Sequence, residues 1–193
     1  MNRSSRGGIR YTSIGTGRRV LWEQIRLFIL LTLTGLILIG LETTALSRIS
    51  IPLLGWQAAA PSLGLLFSMA AGFLHGEREG GITGLFCGWL TDATMGKSLM
   101  LFPLLYFLCG YLSGTVGKRR LAHNLPSFAV FAAVGGGLKC LTVVCTNALE
   151  ARAIPPVVWI WQGLVPSWVL TVLFSVAVYG IVKGEIWLLT PKK

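Results

Sequence analysis

The stretch GGITGLFCGWLTD, from Gly80 to Asp92, repeats a small or acidic residue at every fourth position. On a helix, Gly84, Gly88, Asp92 and Gly96, the last of which follows this stretch, drift by only about 40° per step, so they form one continuous stripe. Stripes of small residues let two backbones approach closely and are a main source of helix association in lipid. The stretch therefore predicts a helix that packs tightly along this stripe.

Two flanking stretches carry the same interval. Gly72 and Gly76 precede the stripe, and Gly110 and Gly114 follow it on a later helix. The charged connection at residues 75–80 joins the helix that carries Gly72 to the helix that carries the stripe. It is too short to be more than a turn, so the small residues of these two helices are expected to face each other in a tight hairpin. Two interpretations stay open for these glycines: packing within the chain, or an interface with a partner helix.

The composition is that of an integral membrane protein. Of the 193 residues, 53% are hydrophobic and 12% charged, and the mean hydropathy is +0.70. The 7 acidic residues are too few to solvate a globular surface. These values exclude a soluble enzyme domain and a disordered regulator.

The hydropathy pattern predicts an all-α, polytopic fold with six transmembrane helices. The second begins after Pro61, and the last is expected to kink at Pro166. The predicted spans are residues 22–46, 62–75, 81–96, 99–117, 126–149 and 156–182. The six-helix membrane domain, residues 23–183, lies between a flexible basic cytoplasmic tail, 1–22, and a short cytoplasmic C-terminal tail, 184–193.

The distribution of basic residues supports six spans with both termini cytoplasmic, because Lys and Arg accumulate in short cytoplasmic loops. Six spans place 12 basic residues inside and 3 outside, whereas five spans give 8 and 7. The first span is expected to remain uncleaved, although a targeting segment is the alternative. Contact with anionic lipid or with cytoplasmic partners is expected for Arg18, Arg19, Lys118, Arg119 and Arg120.

Arg26, Glu42, Asp92 and Lys139 are ionisable residues that fall within predicted spans, where a charge is costly unless it is paired. Asp92 lies about one turn from the outer end of the third span, and Lys139 lies near the middle of the fifth. An interface carboxylate or a cap would explain Asp92, and so would a pair with Lys139. Glu42 is a second candidate partner for Lys139.

The residues that carry chemistry in enzymes are not arranged for catalysis. The two histidines, His75 and His123, lie at predicted turns, and neither belongs to a metalloprotease or hydrolase motif. The four cysteines fall inside apolar runs without metal-ligand spacing. The net charge of +10 is explained by topology better than by nucleic acid. We therefore expect no enzymatic activity, cofactor, metal or nucleic acid.

Four stretches together resemble the rod shape-determining MreD family. They are Leu41–Leu46, Pro61–Leu66, Gly80–Asp92 and Tyr106–Gly114, and the resemblance covers roughly residues 25–120. The family has a proline at the start of its second span and glycines leading to an aspartate in its third. Ser62 departs from the acidic residue that often follows that proline.

The resemblance implies a non-enzymatic scaffold of the cell-elongation complex in the bacterial cytoplasmic membrane, involved in cell shape. Its implied partners are an MreC-like bitopic protein and, through it, MreB and the peptidoglycan synthase RodA with its transpeptidase. The family fold is similar to the substrate-binding components of energy-coupling-factor vitamin transporters, which supply the alternative function. In that alternative, the outer halves of spans 4 to 6 would form a ligand pocket with Trp159 and Trp161.

Overall fold

The computed structural model describes residues 14–44, 60–95, 101–117, 125–151 and 160–189. Within these ranges the chain is helical apart from residues 60–62 and Gly76, and it contains no strand, which confirms the all-α class. The helices are α1 (Ile14–Thr44), α2 (Leu63–His75), α3 (Glu77–Met95), α4 (Leu101–Gly117), α5 (Leu125–Ala151) and α6 (Val165–Leu189). A π-helical turn, Ile160–Leu164, leads into α6.

Within the described ranges, two helical stretches are long and apolar enough to cross a membrane, Leu125–Leu149 and Ile160–Gly184. The helices around the core also expose large apolar side chains, which a water-facing surface would not favour. These include Leu33 and Ile37 on α1, Ile82, Leu85 and Trp89 on α3, Leu104, Leu108 and Leu112 on α4, Val134 and Leu141 on α5, and Leu173 and Val176 on α6. Both features indicate association with a membrane.

Helix α2 is the centre of the fold. Its residues Leu63–Phe73, 11 of the 13, are buried, and it packs against each of the other five α-helices that the structure describes. At 1.5 Å per residue it is only about 20 Å long, shorter than the hydrocarbon core of a bilayer at about 30 Å. The core therefore forms around a short apolar helix that is surrounded on all sides.

Helix bounds differ from the predicted spans chiefly at three places. Helix α6 continues to Leu189, past the predicted end at residue 182 and into the predicted C-terminal tail. Helix α1 begins at Ile14, inside the predicted flexible tail, because the stretch from Ile14 to Thr44 contains no proline that would stop it. Helix α3 begins at Glu77 instead of Gly81. Glu77 and Glu79 lie in its first turn, where acidic side chains interact favourably with the helix dipole.

Gly76 has a different role from the one its spacing predicts. It is the only residue between α2 and α3, with φ 133° and ψ 173°, a conformation that only glycine adopts readily. The predicted turn of several residues is thus a one-residue corner. Gly76 reverses the chain and is not part of the helical stripe.

The irregularity predicted at Pro166 lies just before it, as the π-helical turn at Ile160–Leu164. Proline has no N–H to donate, and its ring would collide with the carbonyl four residues earlier in a regular helix. A π turn widens the backbone and accommodates such a residue.

The helices alternate in direction. The last turn of α1 and the first turn of α6 both contact the residues that lead into α2, through Glu42 to Gly64 and Ser167 to Ala60. We call this the α2-start end of the bundle. The start of α1 and the end of α6 consequently lie together at the opposite end, where Gly76 also lies.

Candidate functional site

The predicted glycine stripes lie inside the unit formed by α2, α3 and α4. A Cβ atom built at any of these glycines would come closer than 3.0 Å to the backbone of a neighbouring helix or turn. The glycines in these positions are Gly72, Gly80, Gly84, Gly88, Gly110 and Gly114. Such distances leave room for a hydrogen atom only.

The contacts pair the stripes with one another. Gly80 meets the Cα of Gly72 and the carbonyl of Gly110, so three helices meet there at backbone distance. Farther along, Gly84 meets the carbonyl of Tyr106 and Gly88 meets Pro103. Of the two interpretations left open by the sequence, these contacts belong to packing within the chain. A partner helix would have to contact the outer faces of α3 and α4.

A buried ion pair lies at the α2-start end. Lys139 Nζ on α5 lies 3.3 Å from Glu42 Oε1 on α1, and the two residues are 7% and 6% exposed. Of the two carboxylates considered for Lys139, Glu42 lies in contact with it. Asp92 is also buried, at 4% exposure, in the last turn of α3.

Glu42 also caps helix α2. Its second oxygen, Oε2, accepts a hydrogen bond of 3.1 Å from the backbone N–H of Gly64. The first amides of a helix have no partner within the helix and carry its positive dipole end, so a carboxylate is favourable there. Ser62, at the N-cap position, makes no side-chain cap hydrogen bond. A carboxylate from another helix therefore takes the role that an N-cap side chain usually has.

Helix α6 holds the other side of the same segment. The backbone N–H of Ser62 donates to Thr171 Oγ1 at 3.0 Å, and Ser167 Oγ donates to the carbonyl of Ala60 at 2.5 Å. Thr171 in turn donates its hydroxyl to the carbonyl of Ser167 at 2.7 Å. We call Glu42, Lys139, Ser167 and Thr171 the polar clamp, because these four side chains from three helices fix the start of α2.

A cavity of about 450 Å³ opens beside the polar clamp. Its polar lining consists of Glu42, Ser62, Lys139, Gln162, Ser167 and Thr171. Trp168, Val143 and Leu164 are among the apolar residues of its walls. The indole N–H of Trp168 donates to the carbonyl of Ala133 at 2.8 Å, so this side chain offers the cavity its ring and not its donor. The floor of the site thus carries the Glu42–Lys139 ion pair, whose net charge is zero, and its walls are largely apolar.

The described cavity lies in a different place from the pocket expected under the transporter alternative. It lies between α5, α6 and the start of α2, with Glu42 of α1, and no residue of α4 is among its described lining. Trp161 is 69% exposed, and Trp168 is the tryptophan that lines the cavity. Trp159 lies outside the described residues.

The sequence reasoning did not connect Ser62, Ser167 and Thr171 with Glu42. A signal existed, because Ser167, Thr171 and Ser175 follow one another at intervals of four on α6. Small polar residues at that spacing form one helical face and serve as hydrogen-bonding contacts in membrane helices. Their partners in the chain could not be read from the spacing.

The structure describes only some of the basic residues for which contacts with lipid or cytoplasmic partners are predicted. Arg18 and Arg19 lie in the first turns of α1, and Lys118, Arg119 and Arg120 lie outside the described residues. Among the residues that the structure describes, no three His, Cys, Asp or Glu side chains come together as a metal site. Comparisons with protein-family models, with curated proteins and with solved structures gave no match.

Proposed function

We propose that the chain is a non-enzymatic membrane scaffold of the bacterial cell-elongation complex, which docks an MreC-like bitopic protein. The observation that supports this most is the unit of α2, α3 and α4. The glycines that pack it include those of the MreD-like pattern, Gly80, Gly84 and Gly88, and they bring the helix backbones into direct contact. A unit packed at backbone distance presents its outer faces in one fixed geometry, which a scaffold requires.

The proposed arrangement is multi-pass, with six helices through the cytoplasmic membrane and both termini in the cytoplasm. The alternating helix directions support it, since they put the start of α1 and the end of α6 at one end. The distribution of 12 basic residues against 3 orients that end toward the cytoplasm. The short helix α2 fits this arrangement because its neighbours shield it from lipid.

The docking surface is proposed to be the outward face of α3 and α4, which we call the α3–α4 face. It consists of Ile82, Leu85, Trp89, Leu104, Leu108 and Leu112, each 45–57% exposed. The members of each helix recur at intervals of three, four or seven, which places them on one side. An apolar face of this width suits the single membrane helix of an MreC-like partner, through which MreB and RodA with its transpeptidase would be reached.

The test is a mild-detergent pull-down of the tagged protein from its native membrane. A triple variant, Ile82→Ala with Leu85→Ala and Trp89→Ala, should lose most of the bound bitopic protein. The matched control removes three exposed apolar side chains from α5, Val130→Ala with Val134→Ala and Leu141→Ala, and should keep it. Equal capture by both triple variants would reject the α3–α4 face.

A second candidate function is the substrate-binding component of an energy-coupling-factor transporter. The observation that favours it is the cavity beside the polar clamp, because a vitamin pocket needs several convergent polar side chains. The same pull-down separates the two functions. Recovery of a transporter ATPase with its membrane coupler would favour transport, and recovery of a bitopic protein or a synthase would favour the scaffold.

A further inference from the structure

The cavity beside the polar clamp has a lining that selects for one kind of molecule. Glu42 and Lys139 form its charged floor, and both side chains are more than nine-tenths buried. Binding pockets for small molecules range from roughly 300 to 1,000 Å³ and are mostly apolar with a few placed polar groups. A volume of about 450 Å³ lies at the small end of that range and suits one short apolar body.

The charge of the floor argues against an ionic ligand. Glu42 and Lys139 neutralise each other at 3.3 Å. A bound anion or cation would add one uncompensated charge beside a pair that is more than nine-tenths buried, where such a charge is expensive. A molecule without net charge adds no such cost.

The hydrogen-bonding capacity of the floor favours a hydroxyl group. The ammonium of Lys139 has three N–H donors, of which the Glu42 contact uses one and the neighbouring Tyr106 hydroxyl interacts with another, so a third remains for a ligand. Glu42 Oε1 accepts a hydrogen bond from Lys139, and Oε2 accepts one from the backbone N–H of Gly64. Each of these oxygens has a further lone pair. A hydroxyl can donate to Glu42 and accept from Lys139 at the same time, which a pure donor or a pure acceptor cannot do.

We propose that this cavity binds an uncharged amphiphile, with a hydroxyl-bearing head on the Glu42–Lys139 pair and a short apolar body against Trp168, Val143 and Leu164. The inference does not depend on which function is correct, since a scaffold and a transporter component can each bind such a molecule. Its source is either a membrane lipid with a single chain or a free metabolite of the same chemistry.

Cys140 provides a direct readout, because it lines the cavity and is half-buried. The test uses the full chain in phosphatidylcholine nanodiscs with Cys87, Cys109 and Cys145 changed to Ala. The rate at which N-ethylmaleimide labels Cys140 is measured with three probes of equal chain length: 1-monooctanoylglycerol, octanoate and octyltrimethylammonium. We expect the neutral probe to slow the labelling of Cys140 by about tenfold, which corresponds to about 1.4 kcal/mol of selective binding. The two charged probes should have little effect on this rate.

Three variants make the result specific. Val143→Trp fills the cavity and should abolish the protection, whereas Leu141→Trp, on the exposed side of α5, should leave it unchanged. Glu42→Gln removes the compensating charge, and octanoate should then protect better than the neutral probe. A purely structural role of the ion pair would not reverse this preference.

Protection by a charged probe at least as strong as by the neutral one in the unaltered cavity would overturn the proposal, and so would an absence of protection. Mass spectrometry of an organic extract of the protein from its native membrane distinguishes the two sources. A neutral acyl compound indicates a lipid, and a neutral compound without an acyl chain indicates a metabolite. A stoichiometric ionic compound would overturn the proposal. The α3–α4 face is untouched by all these variants, so the docking proposal stands or falls independently.

Discussion

Glu42 uses its two carboxylate oxygens for different tasks, pairing with Lys139 and capping α2 at Gly64. The sequence indicated that a carboxylate at this depth needs a cation, and it named both residues. It could not choose between Glu42 and Asp92, because that choice depends on which helices become neighbours. The capping role was out of reach for the same reason, since 22 residues separate Glu42 from Gly64.

The ion pair predicts a strong asymmetry between single and double substitution. Lys139→Met should lower the free energy of unfolding by about 3–5 kcal/mol, because it leaves a buried carboxylate without its counter-charge. Combining it with Glu42→Gln should restore much of the loss, since glutamine is uncharged and keeps an oxygen for the Gly64 amide. Denaturant unfolding in detergent would measure Lys139→Met, Glu42→Gln and the double variant. A double variant as unstable as the sum of the two single variants would contradict the pairing.

Gly76 predicts a penalty that comes from the backbone alone. Gly76→Ala should destabilise the protein by about 1–3 kcal/mol, because alanine is strained at φ 133°. Gly180→Ala on α6 is the matched control, since nothing lies within 4 Å of its Cβ position. It should be neutral or gain up to about 1 kcal/mol from helix propensity. Thermal unfolding of the two variants would compare them, and equal stability would speak against the one-residue corner.

At the scale of the helices, the four-residue interval of the glycines was informative for contacts between helices that follow each other in the chain. In the repeat from Gly80 to Asp92, Gly80 meets Gly72, so the repeat correctly indicated a close approach of α2 and α3 at its start only. It said less about α4, whose Tyr106 and Pro103 backbones meet Gly84 and Gly88. Helix ends were harder still, because the start of α1 depends on weak local preferences and not on hydropathy.

The α3–α4 contact predicts sensitivity to a single methyl group. Gly84→Ala should cost about 1–3 kcal/mol, because its Cβ would come closer than 3.0 Å to the Tyr106 carbonyl and the helices would have to separate. The larger changes Gly84→Leu and Gly88→Leu should still insert but lose capture of the bitopic partner. Gly180→Leu serves as the control, since its surroundings are open. Unfolding and pull-down measurements give the two readouts, and normal capture by both leucine variants would remove any role of the stripe in docking.

At the scale of the whole molecule, the alternation of six helices predicts which ends face water on each side. On a background without cysteine, Thr94→Cys near the α2-start end should react with a membrane-impermeant maleimide in intact spheroplasts. Arg78→Cys, beside the Gly76 corner, should react only after lysis, because the proposed topology puts that end in the cytoplasm. Both positions are exposed. The reverse pattern would invert the topology, and labelling of both in intact cells would exclude it.

The two residues of the ion pair are synthesised at different times. Glu42 is synthesised 97 residues before Lys139, so at about 5–20 residues per second its carboxyl group waits roughly 5–20 s for its partner. During that interval the carboxyl group on α1 must be kept hydrated or shielded by the insertion machinery. The newborn protein is therefore most vulnerable to quality-control proteases before α5 enters the bilayer. A chain that stops after Gly117 should be degraded faster in a pulse-chase experiment than the full chain, and Glu42→Gln should slow that degradation.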